Sequence, residues 1–165
     1  MAYQRDAAYD AKTAAPAPQA PSELAGLPDL GVNKSDFRDT FSQLGAAFLF
    51  EDAPLTDGTP RLLGTSPDKL VMMELYGSTN LVTKASMMTF IGKGVPSDLL
   101  ALYNVTFLDE VAPGYDWNAQ LSETVNELLT SDSEKKTLRA GDKVVSVSLS
   151  EASGIAVLLV SVEPD

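Results

Sequence analysis

Residues 143–162 read KVVSVSLSEASGIAVLLVSV, and the fold turns on this stretch. Val145, Val147 and Leu149 alternate with Ser146, Ser148 and Ser150, the two-residue period of a strand with one buried and one wet face. Glu151–Ala152–Ser153–Gly154 turns the chain, and Ile155–Val162 is then apolar at both parities. Such a strand belongs in the middle of a sheet, so its neighbours must come partly from elsewhere in the chain.

Two stretches upstream supply them. Lys69–Tyr76 and Leu81–Ile91 are rich in β-branched, aromatic and Met residues, and Gly77–Ser78–Thr79–Asn80 joins them tightly, which predicts a hairpin. Two face assignments are open for the second strand. In one, Leu81, Ala85, Met87 and Ile91 point inward; in the other, Val82, Met88 and Phe90 do. A slip of one residue exchanges them. Further upstream, Ala46–Glu51 reads as a strand, Asp57–Gly58 as a turn and Arg61–Leu63 as the returning strand.

Helical periodicity appears in three places. Ser35 is the expected N-cap of a short helix that carries Phe37, Phe41 and Leu44, closed by Gly45. Ser97–Asp98 opens a second, expected to turn Leu99, Leu100, Tyr103, Phe107 and Val111 to the core until Pro113–Gly114 ends it. Asp116 caps a third, whose stripe is Trp117, Leu121, Val125 and Leu128. The short connection makes the last two an antiparallel helical hairpin. The expected fold is therefore α+β, an antiparallel sheet packed on one face by an αα-hairpin and a short N-terminal helix. Residues 1–30, with the Pro-alternating run Ala14–Pro21, are expected to form a flexible Ala/Pro-rich tail or arm. Tyr3, Tyr9, Leu24, Leu27 and Leu30 are its anchors if it orders on a partner. Residues 31–165 are expected to form a single α+β domain.

Composition narrows the chemistry. The 165 residues include no histidine and no cysteine, which removes the commonest general base, thiolate chemistry, disulfides and Cys/His zinc sites. No G-x-S-x-G, P-loop or G-x-G-x-x-G is present. Gly92–Lys93–Gly94 lacks the spacing of a phosphate loop and reads as a turn. Glu51, Asp52 and Asp57 lack the ligand spacing of a calcium loop and read as loop solubilisers, so no metal or cofactor is expected. Glu74, the one acid in the interior of a predicted strand, is the best candidate for a perturbed carboxyl, with a cross-strand pair to Lys84 or a solvent-face position as the structural alternative. Asn104–Val105–Thr106 matches a glycosylation sequon but falls within a predicted helix. The net charge of −11 argues against a nucleic-acid backbone or an anionic membrane as partner. No apolar run can span a bilayer and no signal peptide is visible, so the chain is expected to be soluble, with no compartment assigned.

Two features point to binding. Between Lys93 and Lys135 every charged residue is acidic, among them Asp109, Glu110, Glu123 and Glu127. A one-sign helical layer either solubilises or steers a basic partner. Met72–Met73 and Met87–Met88 lie on adjacent predicted strands, and alternation puts one Met of each pair on each face. The face away from the helices would then show Met72 or Met88 beside Tyr76 or Phe90, an adaptable patch suited to a protein partner or a second copy in a homodimer. The size, acidity and mix of elements resemble those of small secretion chaperones, which implies a chaperone-like role by composition and by no motif. The expected function is a non-catalytic protein-binding or adaptor domain. A structural subunit laced to a larger assembly by its N-terminal arm is the alternative, and a carboxylate-dependent hydrolase built on Glu74 ranks below both.

Overall fold

A computed structural model describes residues 26, 28–45, 47–92 and 96–165. The Ala/Pro-rich stretch with Tyr3, Tyr9, Leu24 and Leu27 lies outside the described residues, as do Ala46, Lys93 and Gly94. The elements run α1 (Lys34–Gln43), β1 (Leu49–Asp52), β2 (Arg61–Thr65), β3 (Val71–Ser78), β4 (Leu81–Ile91), α2 (Ser97–Val111), α3 (Trp117–Thr130), β5 (Lys135–Ala140), β6 (Lys143–Ala152) and β7 (Ile155–Pro164). All seven strands join one antiparallel sheet in the order β1-β2-β3-β4-β7-β6-β5, an α+β architecture. No described helix is long and apolar enough to cross a membrane.

The terminal hairpin organises the sheet. β7 pairs with β6 on one side and β4 on the other, which is why Ile155–Val162 has no polar face. The chain lays down β1 to β4 as a meander, crosses over through α2 and α3, and returns from the far edge as β5, β6 and β7. β5 was not anticipated from sequence. Its KKTLRA offers only Leu138 and Ala140 to an apolar face, and its Lys135, Lys136 and Arg139 are the charges that protect an edge strand from further pairing.

The register of β3 and β4 resolves the two face assignments by combining them. Met72 faces Met88 and Met73 faces Met87 across the ladder, but the register shifts between Tyr76 and Gly77. Tyr76 pairs with Lys84 and Gly77 with Val82, so Thr83 is left over as a β-bulge. Val82 therefore comes inward from one frame, and Ala85 and Met87 from the other; all three are fully buried. Gly77 makes the bulge feasible. Its φ is +117°, and a Cβ there would lie 2.0 Å from the Leu81 carbonyl oxygen. Its own carbonyl accepts a 2.5 Å hydrogen bond from the Nζ of Lys34, which is 6% exposed. Burial holds that ammonium below its ordinary pKa, and Asp52 partly offsets the effect.

The core on the Met73 face continues through Leu62, Leu75, Val145, Val147, Val160 and Val162. Aromatic rings fill one end: Phe37 meets Phe107 edge-on at 6.1 Å, and Phe48 meets Phe41 at 5.4 Å and Tyr103 at 5.1 Å. Leu30 is 2% exposed, and its N–H donates to the Val82 carbonyl, so the residues just before α1 are fastened to β4. Asn33, not Ser35, caps α1, because its Oδ1 accepts from the N–H groups of both Ser35 and Asp36. Gly45, with φ +71°, follows the C-cap Leu44 as expected. Leu99 is 40% exposed, because it lies outside the stripe that buries Leu100, Tyr103, Phe107 and Val111. Asp116 caps α3 through Ala119 N–H, and Trp117 donates its indole N–H to the Ala112 carbonyl, which pins the turn between α2 and α3.

Candidate functional site

On the sheet face opposite Met73, one cross-strand row runs Thr65, Met72, Met88, Leu159, Ser148 and Lys135. Phe90 sits beside Val157 in the next row toward one end. Met72, Met88, Phe90, Leu159 and Val157 are each half-buried, in contrast to the fully buried Met73 and Met87 on the other face. The bulge after Tyr76 leaves residues 84–90 in the frame that turns Met88 and Phe90 to this side. Tyr76 shares the face as well. Alternation had allowed either aromatic to join the Met pair, and the structure brings both.

Toward the opposite end the face becomes polar and self-neutralised. Ser86, Ser161 and Ser146 form a belt across β4, β7 and β6. Beyond it, Arg61 pairs with Glu74 at 2.7 Å and Lys84 with Glu163 at 2.5 Å. Glu74 thus finds Arg61, its diagonal neighbour on β2, while Lys84 is taken by β7. The Tyr76 hydroxyl donates to Glu74 at 2.5 Å. Burial, followed by that hydrogen bond and the carboxylate charge, pushes the phenol pKa upward. These contacts occupy both oxygens of Glu74 in fixed ion and hydrogen-bond partnerships.

The acidic helical residues divide into two groups. Asp109 and Glu123 are exposed. Glu110 is half-buried and accepts from the Thr40 hydroxyl at 3.1 Å, which ties α2 to α1, and Glu127 is paired with Lys136 of β5. Part of the negative layer is therefore answered from an edge strand that sequence reading had missed. Partial desolvation, then the charge of Asp116, raises the Asp109 carboxyl above its ordinary value. In the loops, Asp52 pairs with Arg38 and Asp57 accepts from Thr59 N–H, so each serves local structure. Among the described residues no three acids gather in a metal-holding group.

One arrangement had no counterpart in the sequence reading. Asn104 is 1% exposed and lines a cavity of about 270 Å³ between α2, α3 and the sheet. Its place four residues after Leu100, on the apolar stripe of α2, is the signal that could have marked it. No family model matches the chain, and no curated protein or solved structure is detectably similar to it.

Proposed function

We propose that this is a non-catalytic protein-binding domain that receives an apolar protein surface on the Met72–Met88–Phe90 face. In this reading α1 and the α2–α3 hairpin all pack on the Met73 face. The Phe37–Phe107 contact and the proximity of α2 to β4 and of α3 to β5 and β6 support that arrangement. The observation that carries the proposal is the row Met72–Met88–Leu159 with Phe90 and Val157 beside it: apolar, adaptable and only half-buried. Thioether side chains repack around varied shapes at low cost, which suits a surface that meets another protein. The neutralised Arg61–Glu74 and Lys84–Glu163 pairs leave no unopposed charge in that polar margin. Long-range steering then falls to Asp109, Glu123 and their neighbours on α2 and α3, which favour a basic partner.

The test compares three baits in affinity capture from source lysate: the wild-type chain, Met88→Glu, and the double reversal Asp109→Lys/Glu123→Lys. The expected result is a protein held by the wild type, lost with Met88→Glu, and captured more slowly and with less salt sensitivity by the charge reversal. Equal retention by all three baits would overturn the proposal.

A further inference from the structure

The half-open groove between α2, α3 and the sheet joins an apolar floor to flanks of a single charge sign. Ile91, Val105, Leu121 and Val125 line it, and three of these, Ile91, Val105 and Val125, are only partly buried although they pack on the core. Leu129, one helical turn beyond Val125 on the same side of α3, is 66% exposed and continues the apolar track. The rim is polar and uncharged, with Ser97 on α2 and Asn118, Ser122 and Asn126 on α3 all exposed. Asn104 belongs to the scaffold beneath: its Nδ2 donates to Thr89 Oγ1 at 2.9 Å and to the Leu100 carbonyl at 2.8 Å, which fastens α2 to β4. Outside the rim every charge on the two helices is negative. Asp98 lies three residues before Ala101 of the lining, and Asp109 four after Val105, so both neighbour the groove on α2. On α3, Ser122 and Asn126 also border the shallow depression that holds Glu123. All three acids are exposed, and none takes part in an ion pair among the described residues.

From the apolar floor and the all-acid flanks we infer that this groove docks a short basic amphipathic helix of a partner protein. Two apolar side chains of that helix, four residues apart, enter the groove, while its Lys and Arg meet Asp98, Asp109 and Glu123. Taking about 30 Å³ for each water-sized group, the 270 Å³ holds about nine of them, room for two side chains the size of leucine. A second copy of the chain is a poor occupant. Two all-acid hairpins repel each other, and α1, the one described helix with basic residues, buries Lys34 and pairs Arg38 with Asp52. The strand residues of the groove, Ile91 and Leu158, alternate with Phe90 and Leu159 of the Met72–Met88 face, so the two sites lie on opposite sides of the sheet.

Titration of the ¹⁵N-labelled full chain with a synthetic Lys-rich helical peptide of about 16 residues, followed by NMR, tests this. The peptide carries two leucines four residues apart; a control of identical composition carries them two apart, on opposite faces of its helix. The expected result is saturable shifts at Ala101, Val105, Ser122 and Val125, with affinity about tenfold or more above that of the control and falling as salt rises. Ser122→Trp and, separately, Ala101→Trp fill the groove from exposed positions that folding tolerates, and each should weaken the peptide by about tenfold or more. No saturable shift, or equal affinity for peptide and control, would overturn the inference. Shifts centred on Met72 and Met88 would also overturn it, by placing the peptide on the sheet face, and would leave the proposed function standing. Groove shifts that follow protein concentration without peptide would make a second copy the occupant and overturn it as well.

Discussion

Gly77→Ala is expected to be among the most damaging small substitutions in the chain. The added Cβ would lie 2.0 Å from the Leu81 carbonyl oxygen and 3.0 Å from its carbon, both backbone atoms that no rotamer change can move. The residue also sits at φ +117°, where a side chain is strained, at a cost of about 1–3 kcal/mol. Relief requires the β3–β4 turn to open, which withdraws the Gly77 carbonyl from buried Lys34; losing a hydrogen bond to a charged group costs about 1.5–3 kcal/mol. The combined loss of about 2.5–6 kcal/mol is a large part of the ~5–15 kcal/mol by which folded domains are stable. Urea unfolding followed by circular dichroism would measure it against Gly58→Ala, where φ is +86° but a Cβ meets open space. The Gly58 variant should lose about 1 kcal/mol, from backbone strain alone. A Gly77 variant no worse than the Gly58 one would refute the claim that the bulge and its close backbone approach set the register of β4.

Core and face methionines should respond differently. Met87→Ala, at a fully buried position, should cost about 2–5 kcal/mol, whereas Met88→Ala on the half-buried face should cost about 1 kcal/mol or less; thermal unfolding of the two reads the difference. Asp109 offers a pH test. Its folded-state pKa lies above the ordinary 3.8, so between those values the folded protein holds a proton that the unfolded chain has lost, and stability falls as pH rises through that window. Asp109→Asn should therefore raise the urea midpoint modestly at neutral pH and leave it unchanged below 3.8; a variant less stable at neutral pH would contradict the assignment.

Much of the sheet was legible because strand alternation survives wherever one face is buried. Val145, Val147 and Leu149 against three serines could be read without ambiguity, and the doubly apolar Ile155–Val162 correctly implied a central strand. The register of Leu81–Ile91 was not legible, because a single unpaired Thr83 breaks the period midway and nothing in its immediate sequence announces the break. β5 escaped notice for a different reason. An edge strand needs only a thin apolar face, and its charges, which prevent aggregation, also hide it among loop residues. The Met patch was foreseen as a consequence of alternation, while the partners of Glu74 and Glu127 depended on strand order and could not be. Asn104 was considered only as a sequon and set aside because it falls within a helix, while its helical phase, four residues after Leu100, pointed to the interior.

The proposed binding role requires the half-buried Met72–Met88–Phe90 face to be open to a partner while the Met73–Met87 face is sealed. Methyl NMR of methionine-labelled full-length chain, recorded with and without a soluble paramagnetic relaxation agent, tests it most directly. The account predicts strong broadening of the Met72 and Met88 methyl signals, with those of Met73 and Met87 protected. Protection of all four would show the outer face already covered within the chain and would contradict the account.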